Sequence, residues 1–167
     1  LQNKKELEEK LNVKISNKGR VIIISGNAED EYLAERVLNA INFSFSIDNA
    51  FVLKDEENIF QIINIKDLSK SSNMERVRGR IIGTRRKTLT NIENLTHCVI
   101  VLKNNQLGII GYNKEVENAI IALSSLIHGA KNANVYAYLE KHHPQPIIDY
   151  GLKPIKKKKK KPKQNFI

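Results

Sequence analysis

An internal repeat constrains the fold of this chain more than any other feature of its sequence. With an offset of 85 residues and no gap, apolar and glycine positions of the first half align with similar positions of the second half. The aligned pairs are Leu7-Glu8 with Ile92-Glu93, Ile15 with Ile100, Ile24 with Ile109, Gly26 with Gly111, Ala34 with Ala119, and Leu38 with Leu123. Such spacing predicts two copies of one small structural module.

Both copies show the same predicted order of helix, strand, turn, strand and helix. In the first copy, helices are predicted over 3–11 and 30–41, strands over 14–16 and 20–25, and a turn at Lys18-Gly19. In the second copy, helices are predicted over 87–95 and 113–127, strands over 98–102 and 106–110, and a turn at Asn104-Asn105. We expect Asn113 to cap the last helix and Gly129 to end it, with Tyr136 and Tyr138 in a further short helix.

The second copy has an upstream part for which the first copy shows no counterpart. A strand over 59–65, a polar loop over 69–72 and a helix over 74–82 precede the glycine turn at Gly83. By the offset, these elements would fall before Leu1, so the first copy is expected to be N-terminally incomplete, through truncation or as a true half-module. The connecting segment 42–55 is rich in apolar residues, which predicts a helix over 47–53 that packs the copies together.

Charge is distributed unevenly along the chain. Residues 1–67 carry a net charge of −3, residues 68–152 carry +5, and residues 153–167 carry +8. This asymmetry favours nucleic acid as the partner of the second part and a different partner for the first. The lysine-rich run 153–163, interrupted by Pro154 and Pro162, is predicted to be disordered.

The glycine turn carries the strongest candidate for a binding site. An apolar pair enters it, and consecutive cations follow it. The candidate RNA-binding residues are Arg76, Arg78, Arg80, Ile81, Ile82, Gly83, Thr84, Arg85, Arg86, Lys87, Val99 and Val101. The cations are proposed phosphate ligands, with a solvated basic face as the alternative. The four aliphatic residues are candidates for a groove that holds bases, and core packing is the alternative for each of them.

Several other classes of protein are disfavoured by composition. Aromatic residues make up 6% of the chain and Trp is absent, so a platform of stacked aromatic rings is not expected. Cys98 is the single cysteine, which excludes an intramolecular disulfide and fits a reducing, cytoplasmic compartment. Neither His97-Cys98 nor His142-His143 has the further ligands of a metal site, so no cofactor and no enzymatic activity are expected. No apolar run approaches the roughly 20 residues of a membrane helix.

The second copy resembles a type I KH domain. Its order is β-α-(glycine loop)-α-β-β-α, and Ile81-Ile82-Gly83 matches the start of the KH motif I-I-G-x-x-G. With the run from Gly129 through Val135-Tyr136 to Leu139, residues 1–141 resemble the archaeal partner-of-Nob (Dim-two-like) ribosome assembly factors. The implied fold is α+β, with tandem type I KH-like modules of which the first is N-terminally incomplete, each a small antiparallel sheet with helices packed on one face. The implied divisions are 1–55, 56–141 and a basic extension over 142–167.

The resemblance also implies a function. The chain is expected to bind the 3′-end region of the small-subunit rRNA precursor and to help position the PIN-domain nuclease that matures it. The α subunit of translation initiation factor two is a further implied partner. Two alternatives stay open, namely a Krr-like structural KH assembly factor and a protein adaptor to initiation factor two.

One residue departs from the family motif. Arg86 stands at the fourth loop position, where the motif has glycine. If its φ angle is positive, the side chain costs roughly 1 kcal/mol of backbone strain. The sequence therefore predicts a charged RNA contact in which the close backbone clamp is compromised.

Overall fold

The computed structural model describes residues 2–19, 21–69 and 73–142. The helices are α1 (Gln2–Leu11), α2 (Ala28–Phe43), α3 (Ile47–Phe51), α4 (Ile65–Leu68), α5 (Met74–Ile82), α6 (Lys87–Thr96), α7 (Asn113–Ile127) and α8 (Asn132–His142). The strands are β1 (Lys14–Lys18), β2 (Val21–Ser25), β3 (Asn58–Asn64), β4 (Val99–Lys103) and β5 (Gln106–Tyr112). Single turns of 3-10 helix follow α3 and α5, at Val52–Lys54 and Thr84–Arg86. Most of the predicted polar loop and nearly all of the basic extension lie outside the described residues.

The two copies of the repeat fold with the same local geometry. In the first module (α1 to α3 with β1 and β2), Ile15 pairs with Ile24, and in the second module (β3 to β5 with α4 to α8), Ile100 pairs with Ile109. Backbone φ angles in the left-handed region also recur at the same offset. The corresponding pairs are Asn12 and His97 (52° and 52°), Gly19 and Asn104 (65° and 55°), and Ser44 and Gly129 (108° and 107°). These matches confirm the predicted repeat.

The modules differ in the number of their described strands. The second module has a three-stranded antiparallel sheet in the order β3-β5-β4, whereas the described part of the first has the two-stranded sheet β1-β2. The strand and helix that precede the loop in the second module are β3 and α5, as the sequence predicts. The α+β class with small antiparallel sheets is thereby confirmed.

Helices of the second module cover one face of its sheet. Ile100, Leu107 and Ile109 point from the sheet into this core and are fully buried. The helices contribute apolar side chains spaced three or four residues apart. The buried helical members are Ile65, Val77, Ile81, Leu89, Ile92, Val116, Ala119, Ala122, Leu123, Leu126, Ile127, Val135 and Leu139.

The first module covers the opposite face of the same sheet. Ile110 of β5 belongs to the buried cluster of the first module, and Phe60 of β3 packs against that cluster. Phe43 at the end of α2 and Phe45 two residues further on form an aromatic group with Phe60. The ring centroids lie 5.9, 5.8 and 5.5 Å apart in this group. The sheet of the second module therefore lies between its own helices and the first module. Aromatic packing holds the two modules together.

The predicted cap of α7 is wrong, because Asn113 is the first residue of the helix itself. Tyr112 occupies the N-cap position and makes no capping hydrogen bond through its side chain. In the first module, Asn27 is the residue that corresponds to Tyr112 at the repeat offset. Asn27 does cap its helix, since its Oδ1 accepts the backbone N–H of Asp30 at 2.9 Å.

Candidate nucleic-acid interface

The basic loop, residues 83–87, has a backbone that only glycine allows at its first position. Gly83 has a φ angle of 71°. A Cβ atom there would lie 2.1 Å from Oγ1 of Thr88 in the next helix. Glycine therefore permits both the left-handed turn and the close approach of the chain to α6.

Two arginines follow in the left-handed conformation. The φ angles of Arg85 and Arg86 are 52° and 64°, so the positive φ considered for Arg86 is present. For a residue with a Cβ atom, this conformation costs about 1–2 kcal/mol. The second module thus holds two neighbouring strained residues at its most basic turn, the kind of site where strain accompanies function.

The exposed side chains of the basic loop project between two surface depressions. Thr84, Arg85, Arg86 and Lys87 are all exposed. Thr84, Lys87 and Asn91 line both depressions. On one side they are joined by Arg85 and Thr90, and on the other by Gly79, Arg80, Gly83, Thr88, Asn132 and Tyr136. Cations beside hydroxyl and amide groups form a surface suited to a phosphate backbone.

Arg80 instead contacts its own protein. Its Nη2 donates to the backbone carbonyls of Gly129 at 2.7 Å and Ala130 at 3.1 Å, just beyond the end of α7. These two carbonyls belong to the turn between α7 and α8, so the guanidinium ties α5 to that turn. The structure thus gives this predicted phosphate ligand a structural contact.

Arg86 also bonds within the module, and 53% of its side chain is exposed. Its Nη2 lies 2.9 Å from Oε1 of Glu93 and donates to the carbonyl of Ile100 at 3.2 Å. The departure from the family motif therefore places an ion pair between the basic loop and α6, and both of its members bond to Ile100 of the edge strand β4. Of the remaining cations, Arg76 is exposed and Arg78 is half-buried, both on α5 ahead of the loop.

The four aliphatic candidates differ in what they pack against. Ile81 is fully buried in the helix-facing core, and Ile82 is half-buried. Val99 and Val101 are partly buried against the first module. Because side chains alternate along a strand, these two valines point away from the face on which Ile100 meets the helices. In the structure these two valines contribute to the contact between the modules, and a groove that holds bases stays a prediction.

Sequence reasoning missed four polar or aromatic residues beside the loop, namely Thr90, Asn91, Asn132 and Tyr136. Asn91 follows Lys87 by one helical turn, so the spacing alone could have placed it on the same face. Asn132 and Tyr136 come from α8, and tertiary packing brings them here. Nδ2 of Asn132 donates to Oγ1 of Thr88 at 3.1 Å.

Cys98, the single cysteine, is buried in the core of the second module. Burial raises the pKa of the Cys98 thiol from 9.0 to about 11, so the thiol stays protonated near neutral pH. Among residues 2–19, 21–69 and 73–142, no group of three or more His, Cys, Asp or Glu side chains is placed to hold a metal ion. Within those same ranges, no helix is long and apolar enough to cross a membrane.

Comparison with known families identifies the second module. The model of the second KH domain of PNO1, a eukaryotic-type KH domain (KH-domain type I), matches residues 59–144. A KH domain-containing protein of Methanocaldococcus jannaschii is 32% identical over 145 residues, which are 83% of this chain and 64% of that protein. The pno1 protein of Drosophila melanogaster is 28% identical over 138 residues, which are 78% of this chain and 58% of that protein.

Solved structures extend the similarity across both modules. Dim2p from Pyrococcus horikoshii superposes with a TM-score of 0.75 at 31% identity, over 84% of this chain and 87% of that one. The Dim2p chain in a complex from the same organism gives a TM-score of 0.76 at 31% identity, over 85% and 82% of the two chains. The present chain spans less than two thirds of the length of the curated relatives described above. The matched family model and these neighbours show that the chain belongs to the PNO1/Dim2p family of type I KH-domain proteins.

Proposed function

We propose that this chain is a non-enzymatic ribosome assembly factor that binds single-stranded rRNA through the basic loop. The observation that carries this proposal is the fixed left-handed loop from which Thr84, Arg85 and Lys87 project into solvent. The loop leads directly into the N-terminus of α6, whose backbone dipole favours a phosphate there. Arg85 and Lys87 supply the cations, and the two flanking depressions give the RNA backbone room on either side.

The names of the relatives support rRNA as the ligand. The solved complex from Pyrococcus horikoshii contains a/eIF2alpha, aDim2p and rRNA. The Drosophila relative is named an RNA-binding protein, and a relative from Phaeosphaeria nodorum is named a pre-rRNA-processing protein. We propose the 3′-end region of the small-subunit rRNA precursor as the segment bound by the present chain.

The division of the fold supports protein partners for the first module. The first module lies on the far face of the second sheet and carries most of the acidic first part of the chain. In our proposal it holds a protein while the second module holds RNA, and the basic extension adds nonspecific affinity. The α subunit of initiation factor two is the partner favoured by the solved complex. Positioning of the PIN-domain maturation nuclease is the further role we propose.

Salt dependence of RNA binding tests this assignment. The double variant Arg85→Ala/Lys87→Ala should bind a single-stranded oligonucleotide of the rRNA 3′ end more weakly than the unmodified chain. For a single strand, removing one phosphate-binding cation should reduce the slope of log affinity against log salt by about 0.7. Fluorescence anisotropy across a salt series measures both quantities.

The matched control is Lys14→Ala/Lys18→Ala, which removes the same charge from exposed positions of β1. This control should keep the slope of the unmodified chain. If both double variants change the slope equally, net charge and not the basic loop governs binding. A loop variant that binds with unchanged slope would refute the proposed site.

A further inference from the structure

The outer edge of β4, beside the basic loop, is closed by an ion pair. β4 is an edge strand, and its Ile100 is paired with Ile109 of β5. The backbone N–H of Ile100 donates to Oε1 of Glu93 at 3.1 Å, and its carbonyl accepts from Nη2 of Arg86 at 3.2 Å. These two side-chain atoms are 2.9 Å apart. One arginine and one glutamate therefore satisfy both outward backbone groups of a single edge residue.

Half of this arrangement recurs in the first module. Oε1 of Glu8 accepts the backbone N–H of Ile15 at 2.8 Å, and both residues align with Glu93 and Ile100 at the repeat offset. The position that corresponds to Arg86 is Leu1, which has no donor in its side chain. The glutamate contact is thus common to both copies, and the arginine is specific to the copy that carries the basic loop.

The paired side chains present the hydrogen-bonding pattern of a nucleobase. An acceptor lies beside a donor, as the ring nitrogen lies beside the amino group in adenine and cytosine. A base read through its Watson–Crick edge by the backbone of Ile100 would make the same two hydrogen bonds. Uracil presents the opposite order, with a ring N–H beside a carbonyl. The ion pair and a base cannot occupy the N–H and carbonyl of Ile100 at the same time.

We propose that the Arg86–Glu93 pair takes the place of a base at Ile100. RNA bound at the basic loop therefore cannot form base-specific hydrogen bonds with the N–H and carbonyl of Ile100. Glu93 and Arg86 are then specificity-determining residues. With this pair in place, the chain contacts RNA through phosphates bound by Arg85 and Lys87. The affinity then does not depend on which base lies next to Ile100. This inference rests on the proposed RNA-binding function. It adds that the second module binds the RNA backbone without discriminating between bases at Ile100.

Base preference tests the inference. The unmodified chain should bind short oligo(A), oligo(C) and oligo(U) with affinities within about threefold of one another, as expected for backbone binding. The double variant Arg86→Gly/Glu93→Ala keeps the net charge and frees both backbone groups of Ile100. It should prefer oligo(A) and oligo(C) over oligo(U) by at least about tenfold, the usual scale of a two-bond base contact.

The matched control removes another ion pair of the same type. Lys10→Ala/Glu6→Ala takes away an exposed pair of α1 whose atoms are 2.7 Å apart, and it should leave the three affinities equal. The single variant Glu93→Ala, which removes the acceptor of the Ile100 N–H, should shift preference in the same direction as the double variant. Circular dichroism of each variant verifies that the fold is retained.

A second readout follows the Ile100 amide directly by NMR. Adding oligo(A) should leave this resonance in place in the unmodified chain and move it in the double variant. Discrimination by the unmodified chain, or its absence in both the double variant and Glu93→Ala, would overturn the inference while RNA binding itself stands. If no form of the chain binds RNA, the proposed function fails as well.

Discussion

Phe43 lies so close to Gly108 that a methyl group added at Gly108 would sit 2.5 Å from Cε1 of the ring. Phe43 ends α2 of the first module, and Gly108 lies in the central strand of the second sheet. The contact between the two copies therefore depends on a missing side chain in the middle of the sheet.

Gly108→Ala should destabilise the protein because the new methyl group pushes the aromatic group away from the sheet. Overpacking of this kind costs about 1–3 kcal/mol. Urea denaturation measures the change in the free energy of unfolding. Gly79→Ala is the control, because a Cβ atom there meets nothing within 4 Å. In a helix it should stabilise by about 0.5–1 kcal/mol. Equal behaviour of the two variants would contradict the close contact.

Strain and charge in the basic loop can be separated at Arg85. Arg85→Gly and Arg85→Ala both remove the cation, but only glycine relieves the left-handed backbone at a φ angle of 52°. The glycine variant should be more stable than the alanine variant by about 1 kcal/mol. Both should weaken RNA binding and flatten its salt dependence to the same extent. A glycine variant no more stable than the alanine variant would show that the loop holds no strain at this residue.

Arg80 should affect stability more than RNA binding, since its guanidinium holds the carbonyls after α7. Arg80→Ala should lower the free energy of unfolding by about 1 kcal/mol. The slope of RNA affinity against salt should change less than in Arg85→Ala. Arg76→Ala, which removes an exposed cation from the same helix, is the control and should leave stability nearly unchanged. If Arg80→Ala instead weakened RNA binding strongly and left stability unchanged, Arg80 would be a phosphate ligand.

Because Cys98 is buried, we expect the protein to lose stability in alkaline solution. Its pKa is raised from 9.0 to about 11 by burial, so the folded state favours the protonated thiol. The resulting stabilisation is present below pH 9 and disappears as the pH rises towards 11, by up to about 3 kcal/mol. The free energy of unfolding should therefore fall more steeply over this range in the unmodified chain than in Cys98→Ala. Parallel curves would mean that the thiol is accessible to solvent.

The sequence predicted the elements well because their signals are local. Apolar spacing located the hairpins and long helices, and the glycine followed by cations located the basic loop. The orientation of β4 was harder to predict, because Val99, Ile100 and Val101 are all apolar. A strand covered on both faces reads as a continuous apolar run, so alternation cannot indicate which side meets the helices.

The partners of Arg80 and Arg86 could not be predicted from the local sequence for a different reason. Arg80 reaches backbone atoms 49 and 50 residues away, and Arg86 reaches a strand 14 residues away. A run of cations gives no indication of which guanidinium groups remain free for a ligand. Only the tertiary structure shows which arginines bond to distant backbone carbonyls, as Arg80 and Arg86 do.

The sheet between the two modules has a mechanical consequence. Because both of its faces are covered, the basic loop and the first module are joined through packed side chains and not through a flexible tether. Anything held by the first module would keep a constant distance and bearing from RNA held at the loop. The packed contact between the modules would thus set the spacing between the two proposed partners.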